Sequence, residues 1–214
     1  MIQSIRKVCH GLNTISISSS QFTNSHTQAF RLICSIHKVT ISHGLSKFEP
    51  GKYFHMKLIP VIADVWKMDG GVAFGVVPKS IWQKIYPADE NNMLSIVDRC
   101  LLIDTGERRI LTDTGMGRKR DEKYYKYRFV DHNVTLEKSL AEAGYNTSDI
   151  TDVLLTHLHD DHVGGAVKAI GTDLVLTFAE ATHWCSISQW EWAVHPNVRE
   201  AASYFPDNLW PLHD

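Results

Sequence analysis

No stretch of this chain is apolar for long enough to cross a bilayer, so a helical membrane span is excluded and a soluble, cytoplasmic protein is expected. Nor does one sign of charge dominate. The 22 Lys and Arg against 24 Asp and Glu give a net charge of -2, which provides no global attraction to nucleic acid or to an anionic membrane surface. Cysteine is sparse: Cys9, Cys34, Cys100 and Cys185 stand far apart, without the C-x-x-C spacing of a zinc ribbon or the density of a disulfide scaffold. That usage fits a reducing compartment. There is no internal repeat, and no compact apolar segment near the start that would serve as a secretory signal.

What is present divides at Met56. Residues 1–55 hold the Ser-rich stretch "NTISISSSQFTNSHTQ", five histidines and six basic residues against the single acid Glu49. They are expected to be an extension that is disordered or not native to the domain, either a targeting segment or sequence translated from a start upstream of the real one. From Met56, "MKLIPVIADVWKMDGGVAFGVV" begins with strand-like alternation, and its D-G-G at residues 69–71 predicts a hairpin turn. "VPKSIWQKIYPADENN" is too irregular for a core strand and predicts a long loop. "CLLIDTGERRILTDTGMG" predicts a hairpin turning at Gly106.

Residues 118–128, "RKRDEKYYKYR", suit a solvated loop. "TLEKSLAEAGY" predicts a helix closed at Gly144, and "DVLLT" a short buried strand. Further on, "GGAVKAIG" is expected to be a short helix, "DLVLTF" or "ATHWC" a strand, and Ser186 the cap of a helix carrying Trp190 and Trp192. Residues 196–205 are expected to form one more helix.

The strand "DVLLT" delivers the chain into "THLHDDHVGG", which contains the pattern H-x-H-x-D-H at His157, His159, Asp161 and His162. With twelve His and 15 Asp among 214 residues, chance would supply roughly 0.003 such matches. The alternative is a surface loop of hydrogen-bonded histidines. The chemistry favours a metal site: in an extended segment His157 and His159 project the same way and can grip one ion as a pair. A tightening of the chain then lets Asp161 and His162 face a neighbouring ion. Imidazole with carboxylate suits Zn(II) and also accepts Fe, Mn or Co. Asp160 is left as an acid behind the site or facing solvent. Gly164 and Gly165 let the backbone pass closely beneath.

Through "LLIDTGERRILTDTGMG", the helix and strand that follow, and "THLHDDHVGG", residues 56–214 resemble the metallo-β-lactamase-fold hydrolases. "VPKSIWQKIYPADENN" and "ATHWCSISQWEWA" are similar to the branch holding lactonase-like and methyl-parathion-hydrolase-like enzymes. The resemblance implies an α/β fold, a four-layer αββα sandwich, here truncated to its first half. It implies two Zn2+ per site in a full-length relative, held by His157 and His159 and by Asp161 and His162. Asp113 would support the site from below, or serve as an ordinary turn residue. The chemistry implied is hydrolysis of a small ester or lactone by a metal-bound hydroxide, with Asp161 as the catalytic residue that orients it and relays a proton.

Members of this family continue through a second half that supplies a third histidine to the first ion, a bridging aspartate and a last histidine, and no matching segment follows His162. His183, His195 and His213 stand in other contexts: a strand, a turn and the chain end. The chain alone is therefore expected to bind metal weakly, to turn over little, and to self-associate through uncovered apolar surface. The expected partner is a small-molecule substrate, with neither nucleic acid nor membrane. A glyoxalase II-like thioesterase and a non-catalytic fragment or pseudoenzyme are the competing readings. Trp82, Tyr86, Trp190 and Trp192 could line a substrate pocket or pack as core.

Overall fold

The computed structural model describes residues 56–213; the expectations for residues 1–55 lie outside the described residues. A five-stranded sheet organises the rest, in the order β1-β2-β3-β4-β7, built from β1 (Lys57–Asp69), β2 (Met93–Asp104), β3 (Arg109–Thr112), β4 (Asp152–Leu154) and β7 (Thr182–Trp184). The first three strands pair antiparallel, whereas β4 joins β3, and β7 joins β4, in parallel. A separate antiparallel pair is formed by β5 (Val167–Ile170) and β6 (Asp173–Leu176).

Alternation in β2 places Leu94, Cys100 and Leu102 in the interior. Strand β1 matches this face only because it carries a bulge: Ile62 pairs with Arg99 and Asp64 with Asp98, leaving Ala63 as an extra residue. The bulge shifts the side-chain parity, so Asp64 and Trp66 turn onto the same buried face as Val61.

The connection from β1 to β2 is not the expected tight turn. Asp69 instead caps a short helix, α1 (Gly70–Phe74), its Oδ1 accepting the Gly71 amide at 2.7 Å, and its Oδ2 accepts Nδ2 of Asn92 at 3.0 Å. A second short helix, α2 (Lys79–Trp82), follows within the segment read as loop, and buries Trp82. The hairpin at Gly106, where φ is 86°, forms as expected.

Residues 118–128 are not a solvated loop. They include α3 (Glu122–Tyr127) with Tyr125 buried. Arg118 pairs with buried Asp64, Arg120 grips Asp207 through two bonds of 2.6 Å, and Lys119 donates to the Val167 carbonyl at 3.0 Å. Partners distant in sequence draw these charges inward.

Helix α4 (Leu136–Glu142) is capped by Thr135, closed by Gly144, and seats Leu136 and Leu140 in the core with Leu111, Val153, Leu158 and Phe178. Beyond the histidine cluster, "GGAVKAIG" gives a single 3-10 turn and then β5 rather than a helix. Ser186 caps α6 (Ile187–Val194) as expected, accepting the Gln189 amide at 3.1 Å. Residues 196–205 form turns and a 3-10 segment (Ala201–Ser203) instead of a helix, because the Asn197 side chain captures the amides of Arg199 and Glu200 at 2.9 and 3.1 Å. No helix among the described residues is long and apolar enough to cross a membrane.

Candidate metal centre

The site begins where β3 and β4 end side by side. The chain leaves β3 at Asp113, whose φ of 58° is unusual for a residue with a side chain, and its amide bonds the Leu154 carbonyl at 3.0 Å. This bend points the carboxylate at the next segment. Asp113 accepts the Thr156 amide at 2.8 Å and the Thr156 hydroxyl at 2.7 Å, and lies 3.0 Å from Nδ1 of His162. Burial alone would push the Asp113 carboxyl up, but the bonds from His162 and Thr156 outweigh it and hold it below the usual carboxylate range. An ionised Asp113 assigns the Nδ1 proton to His162 and leaves Nε2 of that ring facing the cluster.

The extended segment passes through His157 and His159 and then tightens into one helical turn, α5 (Asp160–Val163), whose amides at His162 and Val163 both bond the His159 carbonyl at 3.0 Å. Three imidazoles converge there. The His157 ring centre lies 4.7 Å from that of His159 and 3.9 Å from that of His162, and Asp161 Oδ2 is 3.7 Å from Nε2 of His162. His157 takes a 3.2 Å contact from Thr156 to Nδ1; burial, then the nearby His162 and His159, favour its neutral form. For His162 burial works against the charged form, but the Asp113 hydrogen bond and the charges of Asp161 and Asp113 prevail and raise its pKa. A cation must displace that proton, so metal uptake through His162 should strengthen with pH.

Asp160 turns away from the cluster. It is buried, receives the Tyr124 hydroxyl, and lies 3.6 Å from Arg128, which stacks on the Tyr124 ring at 3.9 Å. Of the three histidines that follow the motif, His183 sits on β7 with a buried Nε2 that has no partner among the described residues, His195 ends α6, and His213 packs against Trp190 and Trp210. None joins the cluster. Of the four aromatics, Trp82 is buried against Phe74, Trp190 packs partly buried against the main core and Tyr86 lines a separate surface hollow; Trp192 alone reaches the cavity beside the cluster. That cavity is about 440 Å³ and includes His157, His159, Gln189, Glu200 and Tyr204 in its walls.

Two acids near the site stand outside the motif. Asp64 and Asp98 lie opposite each other across β1 and β2, on the interior face. Asp64 is compensated by Arg118 and by the Met116 amide at 2.7 Å. Among the described residues Asp98 receives only Trp66 Nε1 at 2.8 Å, and its Oδ2 is buried without a partner. Burial, opposed by the Trp66 bond and reinforced by the charges of Asp64 and Asp161, pushes Asp98 up to about 7. The available signal was an acid in phase with the buried positions of β2; on β1 the bulge concealed its counterpart.

Among the described residues no three His, Cys, Asp or Glu side chains form a complete metal site. The donor chemistry nevertheless fits a divalent cation. His162 is oriented from behind by a carboxylate, as metal-binding imidazoles are, and among the described residues Nε2 of His159 is buried with no hydrogen-bond partner.

Residues 99–211 match the Metallo-beta-lactamase superfamily, and the chain belongs to it. It is 28% identical over 120 residues to a probable metallo-hydrolase of Mycobacterium tuberculosis, covering 52% of this chain and 36% of that one. It is also 28% identical over 99 residues to an N-acyl homoserine lactonase of Bacillus cereus, covering 42% and 40%. Among solved structures, a probable metal-dependent hydrolase from Staphylococcus aureus aligns with a TM-score of 0.66 at 32% identity, over 73% of this chain and 56% of that one. The dizinc quorum-quenching lactonase AidC aligns with a TM-score of 0.54 at 28% identity, over 73% and 50%. The chain thus has the mixed α/β metallo-β-lactamase fold, and spans about half the length of these solved structures and less of the curated relatives. The five-stranded sheet is the one large sheet among the described residues.

Proposed function

We propose that this chain provides the metal-binding motif of a zinc-dependent hydrolase acting on small esters or lactones. His157 and His159 serve one ion, Asp161 and His162 a second, and Asp161 orients the attacking water and passes a proton to the leaving group. The observation that carries this reading is the convergence of the His159 and His162 imidazoles on that of His157. Bound zinc supplies Lewis acidity toward a carbonyl oxygen and acidifies a water. The chain's own residues do the rest: Asp113 fixes the His162 tautomer, Thr156 steadies both Asp113 and His157, and the cavity admits a small molecule with Gln189 available as a polar contact. Lactones lead the substrate classes because relatives named lactonases match both the sequence and the fold.

Metal analysis after dialysis, paired with hydrolysis of an N-acyl homoserine lactone with and without chelator, tests the proposal. Little zinc retained after dialysis and slow, chelator-sensitive turnover are expected of this chain, in keeping with its incomplete donor set; turnover indifferent to chelator would refute the metal reading. Asp113→Ala is expected to weaken zinc binding by about 10- to 100-fold, because the His162 ring loses its orienting carboxylate. The incomplete donor set among the described residues favours a second reading, a catalytically silent chain, for which neither metal nor turnover would be found. Self-association is proposed as well, since Val72, Val76, Ile81 and Ile85 are all strongly exposed; sedimentation at several concentrations checks it.

A further inference from the structure

The cavity beside the histidine cluster is walled by His157 and His159, by α6 and its cap, and by the turn-rich segment that contains Glu200 and Tyr204. Among the residues that line it, Glu200 is the one Asp, Glu, Lys or Arg. Glu200 is held twice: the Asn197 side chain accepts its amide at 3.1 Å, and its Oε2 accepts the Trp192 Nε1 proton at 2.6 Å. A single indole donor neither neutralises a carboxylate nor fills its acceptor sites. None of the ion pairs among the described residues includes Glu200. The neutral polar groups of the wall are engaged with one another, Gln189 Nε2 with the Tyr204 hydroxyl at 3.2 Å and the Ser186 hydroxyl with that of Ser188 at 3.3 Å. The cavity therefore sets an uncompensated negative charge beside half-exposed Trp192, with the Tyr204 ring in the same wall.

We propose that Glu200 and Trp192 select the substrate: a small ester or lactone that carries an ammonium or alkylammonium group, in preference to a neutral or anionic one. This deepens the hydrolase reading and rests on it. A carboxylate attracts such a cation through its charge and an indole through the quadrupole of its ring; at a partly exposed site each is worth a few-fold in affinity, and the two together about 10-fold. Because His157 and His159 line the same cavity, a substrate held by its cation at Glu200 stands beside the metal motif. An anionic ester meets the same field with the opposite sign and is turned away.

Two probes test this on the metal-free full chain, without turnover: the choline ester of acetic acid, and its neutral isostere in which carbon replaces the ammonium nitrogen. Binding is followed by NMR of the indole N–H groups, with Trp192→Phe identifying the resonance that belongs to the cavity. The cation is expected to bind about 10-fold more tightly than the isostere. Glu200→Gln, which keeps an acceptor for Trp192, should bring the two within about threefold, the cation–π share alone, and about 1 M salt should shrink the preference in wild type. Equal affinities in wild type, no binding of either probe, or an undiminished preference in Glu200→Gln overturns the proposal and leaves the hydrolase reading intact. Hydrolysis of the same two esters by the zinc-loaded chain, with and without chelator, is expected to show a cation preference that Glu200→Gln reduces. A binding preference accompanied by turnover indifferent to chelator overturns the hydrolase reading, and the substrate role of Glu200 with it.

Discussion

Gly165→Ala is expected to cost more than about 4 kcal/mol of unfolding free energy, and to abolish metal binding in whatever protein still folds. Neither glycine after His162 has a positive φ, so their purpose is close approach. The strip "TGMG" at residues 114–117 runs directly against them, with Gly165 N donating to the Gly115 carbonyl at 2.9 Å and Thr114 N to the His162 carbonyl at 2.8 Å. A Cβ on Gly165 would collide with the Thr114 carbonyl oxygen, and one on Gly164 with that of Met116. Both obstacles are backbone and cannot rotate aside. Relief would require separating the strip that carries Asp113 from the turn that carries His162, so stability and the 3.0 Å contact between those side chains would be lost together. Gly171→Ala is the control: it has φ of 62° but open space around it, and should cost only about 1–2 kcal/mol. Urea unfolding of the three proteins separates the cases, and a Gly165→Ala protein within 1 kcal/mol of wild type, on the scale of surface substitutions, would refute the packing argument.

The parts of this site legible in the sequence are the local ones. His157, His159, Asp161 and His162 lie within six positions, and the passage from extended chain to a helical turn needs only its own backbone bonds. The cap at Ser186 and the turn at Gly106 are equally local. What escaped depends on distant partners. Residues 118–128 look solvated until Asp64, Asp207 and the carbonyl of Val167 are placed beside them. The D-G-G at residues 69–71 reads as a turn until Asp69 is seen capping a helix and holding Asn92. Tyr204 is 45 positions from His159, in a segment whose turns follow from Asn197, and no periodicity announces their contact. Asp98 stayed hidden because the bulge at Ala63, which brings Asp64 opposite it, is set by pairing rather than by composition.

That pairing has a measurable cost. In the metal-free chain, stability is expected to fall by about 2–3 kcal/mol between pH 5 and pH 8 through Asp98 alone. Its folded pKa near 7 stands well above the ordinary carboxylate value of 3.8. The folded state therefore holds a proton that the unfolded chain has already released, and the contribution is fully present below about pH 4 and lost as pH rises toward 7. Above 7 the folded chain carries a carboxylate whose Oδ2 has no partner, opposite Asp64 and near Asp161. Other groups titrate in the same interval: His162, with its raised pKa, adds to the fall, while His157, with its lowered one, opposes it. The comparison with Asp98→Asn isolates the one carboxyl. The variant should be the more stable protein at pH 8, with the advantage shrinking toward pH 5, and saturating zinc should narrow the gap at pH 8 by supplying the positive charge that Asp98 lacks. Urea unfolding curves of the two proteins that run parallel from pH 5 to pH 8 would show that Asp98 is ionised throughout.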